Sequence, residues 1–401
     1  MLELLSPAGS MEALRAAVQN GANAVYLGIG TFNARQGAKN FTLETLGEAL
    51  KYCHIRGVAV HLTLNTLVSD REFKSVSDLI RRTAEAGVDA FIVQDLGVAQ
   101  LCRQIAPEVP VHGSTQLTVH SLPGVMLCAA LGMKRVVLSR ELNREEIRYI
   151  CKNSPIEIEI FGHGALCMCY SGQCYLSAMI GSRSGNRGRC AQPCRQSYGY
   201  SRWENKYPLS LKDNCLVHYL GELESMGVAS VKLEGRMKKP EYVATVTAVY
   251  RKAIDEGVVT KPMMDALMTA FNRQGFTDGY YTSRVNRKMF GIRQNKWIIE
   301  ELGLGEHWGT PELPEDTASL WLSMPIAEEF EKRLEAWLLE HDKLELEAIL
   351  ADHAIAAQSV YEFEDMVVKA LPDGEVLRMK DIANIELGRL TYSFVNKVNG
   401  H

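Results

Sequence analysis

Eight times between Leu2 and Leu233 a short run of apolar, β-branched residues gives way to a longer segment with helical spacing. The runs are Leu2–Leu5, Ala24–Gly28, Val58–Leu64, Ala90–Val93, Pro110–His112, Arg135–Leu138, Ile156–Phe161 and Ala229–Leu233. Segments such as MEALRAAVQNGA and FKSVSDLIRRTAEAG lie between most of them. Each stops near a glycine, a normal helix end. Eight strand–helix units predict an α/β chain folded as a (β/α)8 TIM-type barrel. An open α/β sheet is the alternative. The count of eight favours the barrel, as does the lack of a dinucleotide-type glycine fingerprint after the first run.

In such a barrel the residues just past each strand build the active face. Here they are Ser6, Pro7, Ala8 and Gly9, then Asn33 and Arg35, Asn65, Gln94 and Asp95, Ser114 and Gln116, Arg140 and Glu141, His163, and finally Glu234 and Arg236. Polar side chains suit a site face, although any one of them could be a helix cap or a loop hydrogen bonder. In VKLEGRMKKPEY, alternation puts Lys232 and Glu234 on one strand face, with Arg236 following from the loop. This cationic set suits an anionic small molecule held by arginine forks; the alternative is a salt-bridged barrel core. His163 could serve as acid, base or hydrogen bonder, or merely cap the loop.

Five of the ten cysteines fall in the loop after the seventh strand: Cys167, Cys169, Cys174, Cys190 and Cys194. Four thiolates can bind zinc or hold an iron–sulfur cluster, and Arg183, Arg187, Arg189 and Arg195 would help keep them ionised. The spacing is neither a zinc-finger pair nor the bacterial ferredoxin run. Tyr170, Tyr175 and Asn186 place polar aromatic or amide groups beside them. A cysteine nucleophile paired with His163 would leave the other thiols without a purpose, and no HExxH, GxSxG or protease signature is present. The scattered Cys53, Cys102, Cys128, Cys151 and Cys215 read as small buried hydrophobes.

The bulk properties narrow the class. A formal charge of -4 gives no global pull toward nucleic acid, leaving only a local basic face. MLELLSPAGS is no secretory leader, and no run approaches a membrane span, so a cytoplasmic protein without structural disulfides is expected. The expected organisation is a barrel over 1–284 with a cysteine-rich insertion at about 162–215, a linker over 285–312, and a small α+β accessory region over 313–401.

The motifs SPAG, NGANAVYLG, FNAR, IEIFGHGALC, YSGQCYLS, NRGRCAQPCR and KLEGRMKKPEY together resemble peptidase family U32 over roughly residues 1–290. The family name records a collagenase-like assignment. Better-understood members are oxygen-independent hydroxylases that carry a [4Fe–4S] cluster and modify a tRNA uridine, a cytidine of 23S rRNA, or, as paired proteins, the ubiquinone ring. Several use prephenate as the source of the hydroxyl oxygen. The resemblance implies Cys167, Cys174, Cys190 and Cys194 as cluster ligands, with Cys215 in reserve for Cys194. Cys169 stands where many members have another residue. A dicarboxylate such as prephenate would suit Arg140, Lys232 and Arg236, with Arg35, Asn65, Gln116, Tyr170 and Asn186 as further substrate contacts. His163, Lys232, Glu234 and Arg236 are the expected catalytic set. RNA could approach over Arg183–Arg195 or Lys238 and Lys239. The competing functions are a collagenase-like peptidase, a quinone-ring hydroxylase component and a zinc-stabilised scaffold.

Overall fold

The structure is a computed structural model that describes residues 2–30, 32–35, 40–196, 198–200, 203–291, 367–370 and 376–378. Its strands are β1 (Glu3–Pro7), β2 (Ala24–Gly28), β3 (Ala59–Leu64), β4 (Ala90–Val93), β5 (Val111–Gly113), β6 (Arg135–Val137), β7 (Glu157–Ala165), β8 (Tyr198–Tyr200), β9 (Trp203–Lys206), β10 (Asp213–Cys215), β11 (Ser230–Leu233), β12 (Phe276–Thr277), β13 (Val367–Ala370) and β14 (Val376–Arg378). β1 to β7 pair in order, all parallel, and β11 pairs with both β1 and β7. That last pairing closes an eight-stranded parallel barrel. All eight expected strands are present, most within a residue of their expected limits.

The helices wrapping the barrel are α1 (Met11–Gln19), α2 (Leu43–His54), α3 (Phe73–Ala86), α4 (Leu96–Ile105), α5 (Leu122–Ala130) and α6 (Arg144–Asn153). After the short α7 (Leu176–Gly181) come α8 (Leu220–Ser225), α9 (Pro240–Glu256) and α10 (Lys261–Thr269). Local sequence fixes their starts. Ser10 caps α1 by accepting from Ala13 N at 3.3 Å. Asp95 caps α4 through Gly97 N and Val98 N, and Asn143 forms a reciprocal capping box with Glu146 on α6. Gly87 ends α3 in the left-handed conformation. Outward-facing strand residues such as Leu4, Val25, Leu27, Phe91 and Val93 pack with the helices into one large core.

The barrel interior is different. Leu5, Ala24, Tyr26 and Ile92 form a small apolar cluster there. Beside it lies an ionic network that runs inward from the surface: Arg135 contacts the exposed Glu157 at 2.7 Å, Glu3 at 2.5 Å and the buried Glu159 at 3.3 Å, and Lys232 Nζ bonds Glu159 Oε1 at 2.9 Å. His61 and His112 meet edge to face at 5.0 Å.

The structure corrects one expectation about the loop after the seventh strand. Within 195–228, β10 folds back antiparallel on the end of β7, setting Cys215 opposite His163, and β12 adds to β10. β7 is thereby lengthened to Ala165, so His163 lies inside a strand rather than just beyond one.

The chain divides into two compact units. One comprises Met1–Ser177, Arg183–Gln196 and Tyr207–Arg293 and holds the barrel; the other comprises Ala178–Ser182, Ser197–Lys206 and Gln294–His401. Within the second, β8 pairs with β9 and β13 with β14, both antiparallel. The expected linker over 285–312 and accessory region over 313–401 fall, apart from residues 285–291 and β13 and β14, outside the described residues. Among the described residues, no helix is long and apolar enough to cross a membrane.

Candidate active site

A cleft opens at the C-terminal ends of the barrel strands. Of the expected site residues, Arg35, Asn65, Ser114, Gln116, Arg140, Lys232, Glu234 and Arg236 all line it. They arrive from the ends of five strands, β2, β3, β5, β6 and β11, or from the turns after them, the usual way a barrel assembles a site.

Glu234 is central. Its Oε1 accepts from Arg35 Nη2 at 2.7 Å, and its Oε2 lies 3.6 Å from Arg140 Nη2. Burial alone would raise the Glu234 carboxyl, but Arg140 and Arg35 outweigh it and hold the group below the ordinary carboxylate range. Arg140 stacks on the Phe161 ring, 3.9 Å from its centroid. Arg236 donates to Thr63 Oγ1 at 2.9 Å and to Asn33 Oδ1 at 3.0 Å. Buried among neutral partners, its guanidinium is pushed down to about 10. Among the described residues no carboxylate forms an ion pair with Arg236. Lys232 lines the same cleft, 4.4 Å above the Tyr26 ring, yet its charge is met by Glu159. Lys232 therefore meets both expectations at once: it borders the cavity and belongs to a salt-bridged core.

The remaining residues of the ring have local duties. Asn33 holds Arg236, and Asn65 Oδ1 accepts from Ala34 N at 3.0 Å. Asp95 caps α4, and Glu141 Oε1 accepts from both Ser171 N and Ser171 Oγ at 3.0 Å. Ser6 Oγ bonds Thr247 Oγ1. His163 does not reach the cleft. It is 1% exposed, packs against Tyr242, Tyr250 and Phe276, and burial pushes its imidazole down to about 3. Tyr26, Thr63 and Phe161 line the cleft and were not singled out by sequence. Inside AVYLG a tyrosine reads as core, and only the inward alternation of β2 hints otherwise.

The cysteine loop is pinned beside this cleft. Gly172 has φ +79°, and a Cβ there would sit 2.3 Å from the Gln116 carbonyl oxygen, so the loop passes directly over the turn after β5. Thr118 Oγ1 donates to Ser171 O at 2.7 Å, and Gln173 Nε2 donates to Thr118 Oγ1 at 2.7 Å. Ala191 N donates to Ser177 Oγ at 2.9 Å. Arg195 donates to Ser210 Oγ at 3.1 Å, to Leu211 O at 2.6 Å and to Leu166 O. Arg187 pairs with Glu72 at 2.5 Å and donates to Leu67 O. Arg187 and Arg195, expected as part of an RNA-facing basic patch, are thus committed to holding the loop. Lys238 lies 2.9 Å from the Phe271 ring centroid, while Lys239 is exposed.

All ten cysteines are free. Cys167, Cys174, Cys190 and Cys194 are electrostatic neighbours: Cys194 feels the other three, and burial pushes its thiol up to about 11. Cys167 and Cys190 are open to solvent. The surrounding protein still raises the Cys167 thiol, with Arg140 and Arg35 pulling it down and Glu234 pushing it up. Arg35 in turn feels both Cys167 and Cys190. Cys169 sits against Cys174. Cys215 is elsewhere, 7% exposed in β10, with its sulfur 3.7 Å from the Tyr250 hydroxyl. The reserve ligand is therefore not with the other thiols, because β10 turns it inward against α9. Among the described residues, no three His, Cys, Asp or Glu side chains gather closely enough to chelate one metal ion. Tyr170 is 70% exposed and Asn186 buried; both lie in the loop and neither lines the cleft.

The family model of peptidase family U32 matches residues 9–290. The chain belongs to peptidase family U32. The match begins just after β1 and covers the rest of the barrel and the cysteine loop. Curated relatives of the family carry different names. The chain is 36% identical over 324 residues to the tRNA hydroxylation protein P1 of Bacillus subtilis, covering 75% of this chain and 76% of that one. It is 41% identical over 260 residues to a 23S rRNA 5-hydroxycytidine synthase of Escherichia coli, covering 63% of this chain but 39% of that larger protein. It is 37% identical over 306 residues to a protein named collagenase in Porphyromonas gingivalis, covering 70% and 73%.

Proposed function

We propose that this family member is an oxygen-independent hydroxylase of an RNA base, holding a [4Fe–4S] cluster on Cys167, Cys174, Cys190 and Cys194 and taking a dianionic oxygen donor such as prephenate. The observation that carries the reading is the passage of the cysteine loop over the wall of the cleft, where a Cβ on Gly172 would lie 2.3 Å from the carbonyl oxygen of the cleft residue Gln116. It joins a cation-rich small-molecule cavity to a set of four thiols.

The donor set fits the group. A four-iron cluster takes one thiolate on each iron, so its ligands are neighbours that do not converge on a single point, unlike the four ligands of one zinc ion. The cluster would supply one-electron transfer next to the cleft. Arginine guanidiniums nearby would favour the thiolate state that ligation requires.

The cleft suits a dianion. Arg35, Arg140, Lys232 and Arg236 line it, against Glu234 and the Glu159 that neutralises Lys232, leaving an excess of two positive charges. Arg236 and Arg140 are the proposed carboxylate holders, as guanidinium forks match carboxylates in a low-dielectric site. Asn65 and Gln116 add hydrogen-bonding groups to the lining. The exposed Tyr170 and Tyr175 rings offer stacking faces for an unpaired base, the common mode of RNA recognition. The names of the tRNA- and rRNA-modifying relatives support an RNA substrate.

The test is nucleoside mass spectrometry of tRNA and rRNA from a strain lacking the gene, with iron analysis of the anaerobically purified protein. One hydroxylated nucleoside should vanish and return on complementation, and iron should approach about four atoms per chain. An unchanged nucleoside profile together with a protein that takes up no iron would refute the proposal.

A further inference from the structure

We infer that Glu234 is a specificity-determining residue that makes the cleft select dianions over monoanions. Its carboxylate already stands where a ligand carboxylate would stand, on Arg35 and Arg140. The inference rests on the reading of the cleft as an anion site and goes beyond it by assigning the selectivity to one side chain.

The contact with Arg140 is only half made. At 3.6 Å, Glu234 Oε2 is within ion-pair range of Arg140 Nη2 but too far for a hydrogen bond. Glu234 Oε2 and Arg140 Nε are both buried without a hydrogen-bond partner among the described residues. A buried polar atom in that state is costly and is relieved by any arrangement that pairs it. The contact with Arg35, at 2.7 Å, is by comparison complete. Arg140 is therefore the guanidinium that an incoming carboxylate takes first, with Glu234 staying on Arg35.

The backbone of Glu234 is clamped. Its N–H donates to His163 O at 3.0 Å, its carbonyl accepts from the Tyr242 hydroxyl at 3.1 Å, and Gly164 packs so closely on it that a Cβ added at Gly164 would lie 2.6 Å from the Glu234 Cβ. The exchange is a rotation of the side chain and needs no movement of β11.

Charge then decides which ligands profit. A monoanion on Arg140 replaces one carboxylate with another and leaves Arg236 with its neutral partners, Thr63 and Asn33. A dianion puts one carboxylate on Arg140 and brings a second to Arg236. The first exchange is nearly neutral; the second adds an attraction in a site shielded from water.

Calorimetric titration of the full chain with prephenate, which has two carboxylates, and phenylpyruvate, which has one, tests the assignment. The wild type should prefer prephenate by about tenfold or more, a difference of roughly 1.4 kcal/mol. Glu234→Gln removes the internal competitor while keeping the shape, so it should bind phenylpyruvate about tenfold tighter than the wild type does. Unchanged or weaker phenylpyruvate binding by Glu234→Gln overturns the assignment and leaves the anion site standing. If neither ligand binds either protein, both fall. Should Glu234→Gln fail to fold, a structure of the wild type with prephenate decides. Glu234 Oε2 should then lie farther than 3.6 Å from Arg140, with a ligand carboxylate in its place; an undisturbed pair beside bound prephenate overturns the assignment.

Discussion

Lys232 Nζ lies 2.9 Å from Glu159 Oε1 inside the barrel, with 5% and 0% of the two side chains exposed. Both side chains are buried, and the Lys232 ammonium relies on Glu159, which Arg135 also contacts at 3.3 Å. Burial pushes the Lys232 ammonium down while Glu159 holds it up. Glu159→Leu strands the ammonium and should cost about 3–5 kcal/mol of unfolding free energy in urea. The double variant Glu159→Leu/Lys232→Met should recover much of that loss, since it removes both desolvated charges. A double variant as unstable as the single one would show that the loss comes from packing and not from the stranded charge.

Gly172→Ala should loosen the cysteine loop. The substitution adds a Cβ at a left-handed position and drives it into the Gln116 carbonyl. The expected penalty is about 1–3 kcal/mol. Because the strain falls between the loop and the turn after β5, limited proteolysis should cut within 166–196 faster in the variant while the barrel fragments persist. Equal cleavage rates would show that the loop absorbs the clash without moving.

The barrel was legible because each of its units carries its own signal. MEALRAAVQNGA spells a capped, amphipathic α1, and AVYLG spells a buried β2, without reference to anything distant. The cleft was legible for a related reason: in a barrel, position along the chain fixes the face, so Arg35, Arg140, Glu234 and Arg236 could be gathered by topology alone. What remained hidden depends on partners far away in sequence. His163 looked like a loop residue because the pairing that extends β7 comes from Cys215, in a stretch with no strand pattern of its own. Arg187 and Arg195 looked like a free basic patch because Glu72 and the Leu166 and Leu211 carbonyls are not adjacent to them in the chain. Local periodicity does not record such ties.

Stability should fall as the pH drops below neutral. Burial pushes His61 down to about 4, although Glu3 and Glu159 pull the other way, so the folded protein keeps it neutral. The unfolded chain protonates it near 6.5. His61 thus contributes full stability above about 6.5, and that contribution is lost as the pH falls from about 6.5 to about 4. The loss amounts to about 3 kcal/mol when complete. His112 and His163 are shifted in the same direction and add to the effect. Urea midpoints at pH 7 and pH 5 should differ markedly for the wild type and less for His61→Leu. An identical pH dependence in the variant would remove His61 from the account.

Single serine substitutions should sort the cysteines by position. Cys194 is a neighbour of Cys167, Cys174 and Cys190, whereas Cys215 contacts Tyr250 in the wall between β10 and α9. Under the proposed cluster, Cys167→Ser, Cys174→Ser, Cys190→Ser and Cys194→Ser should each lose most of the iron and the brown absorbance after anaerobic purification. Cys215→Ser should retain both, with a modest loss of stability from placing a hydroxyl in a buried site. Cys169→Ser separates two roles for the fifth thiol. It lies against Cys174, so retained iron marks it as a bystander, while lost iron would make it a ligand in place of one of the four. Iron retained by Cys194→Ser and lost by Cys215→Ser would show that the loop rearranges around the cluster and that the fourth thiolate comes from β10.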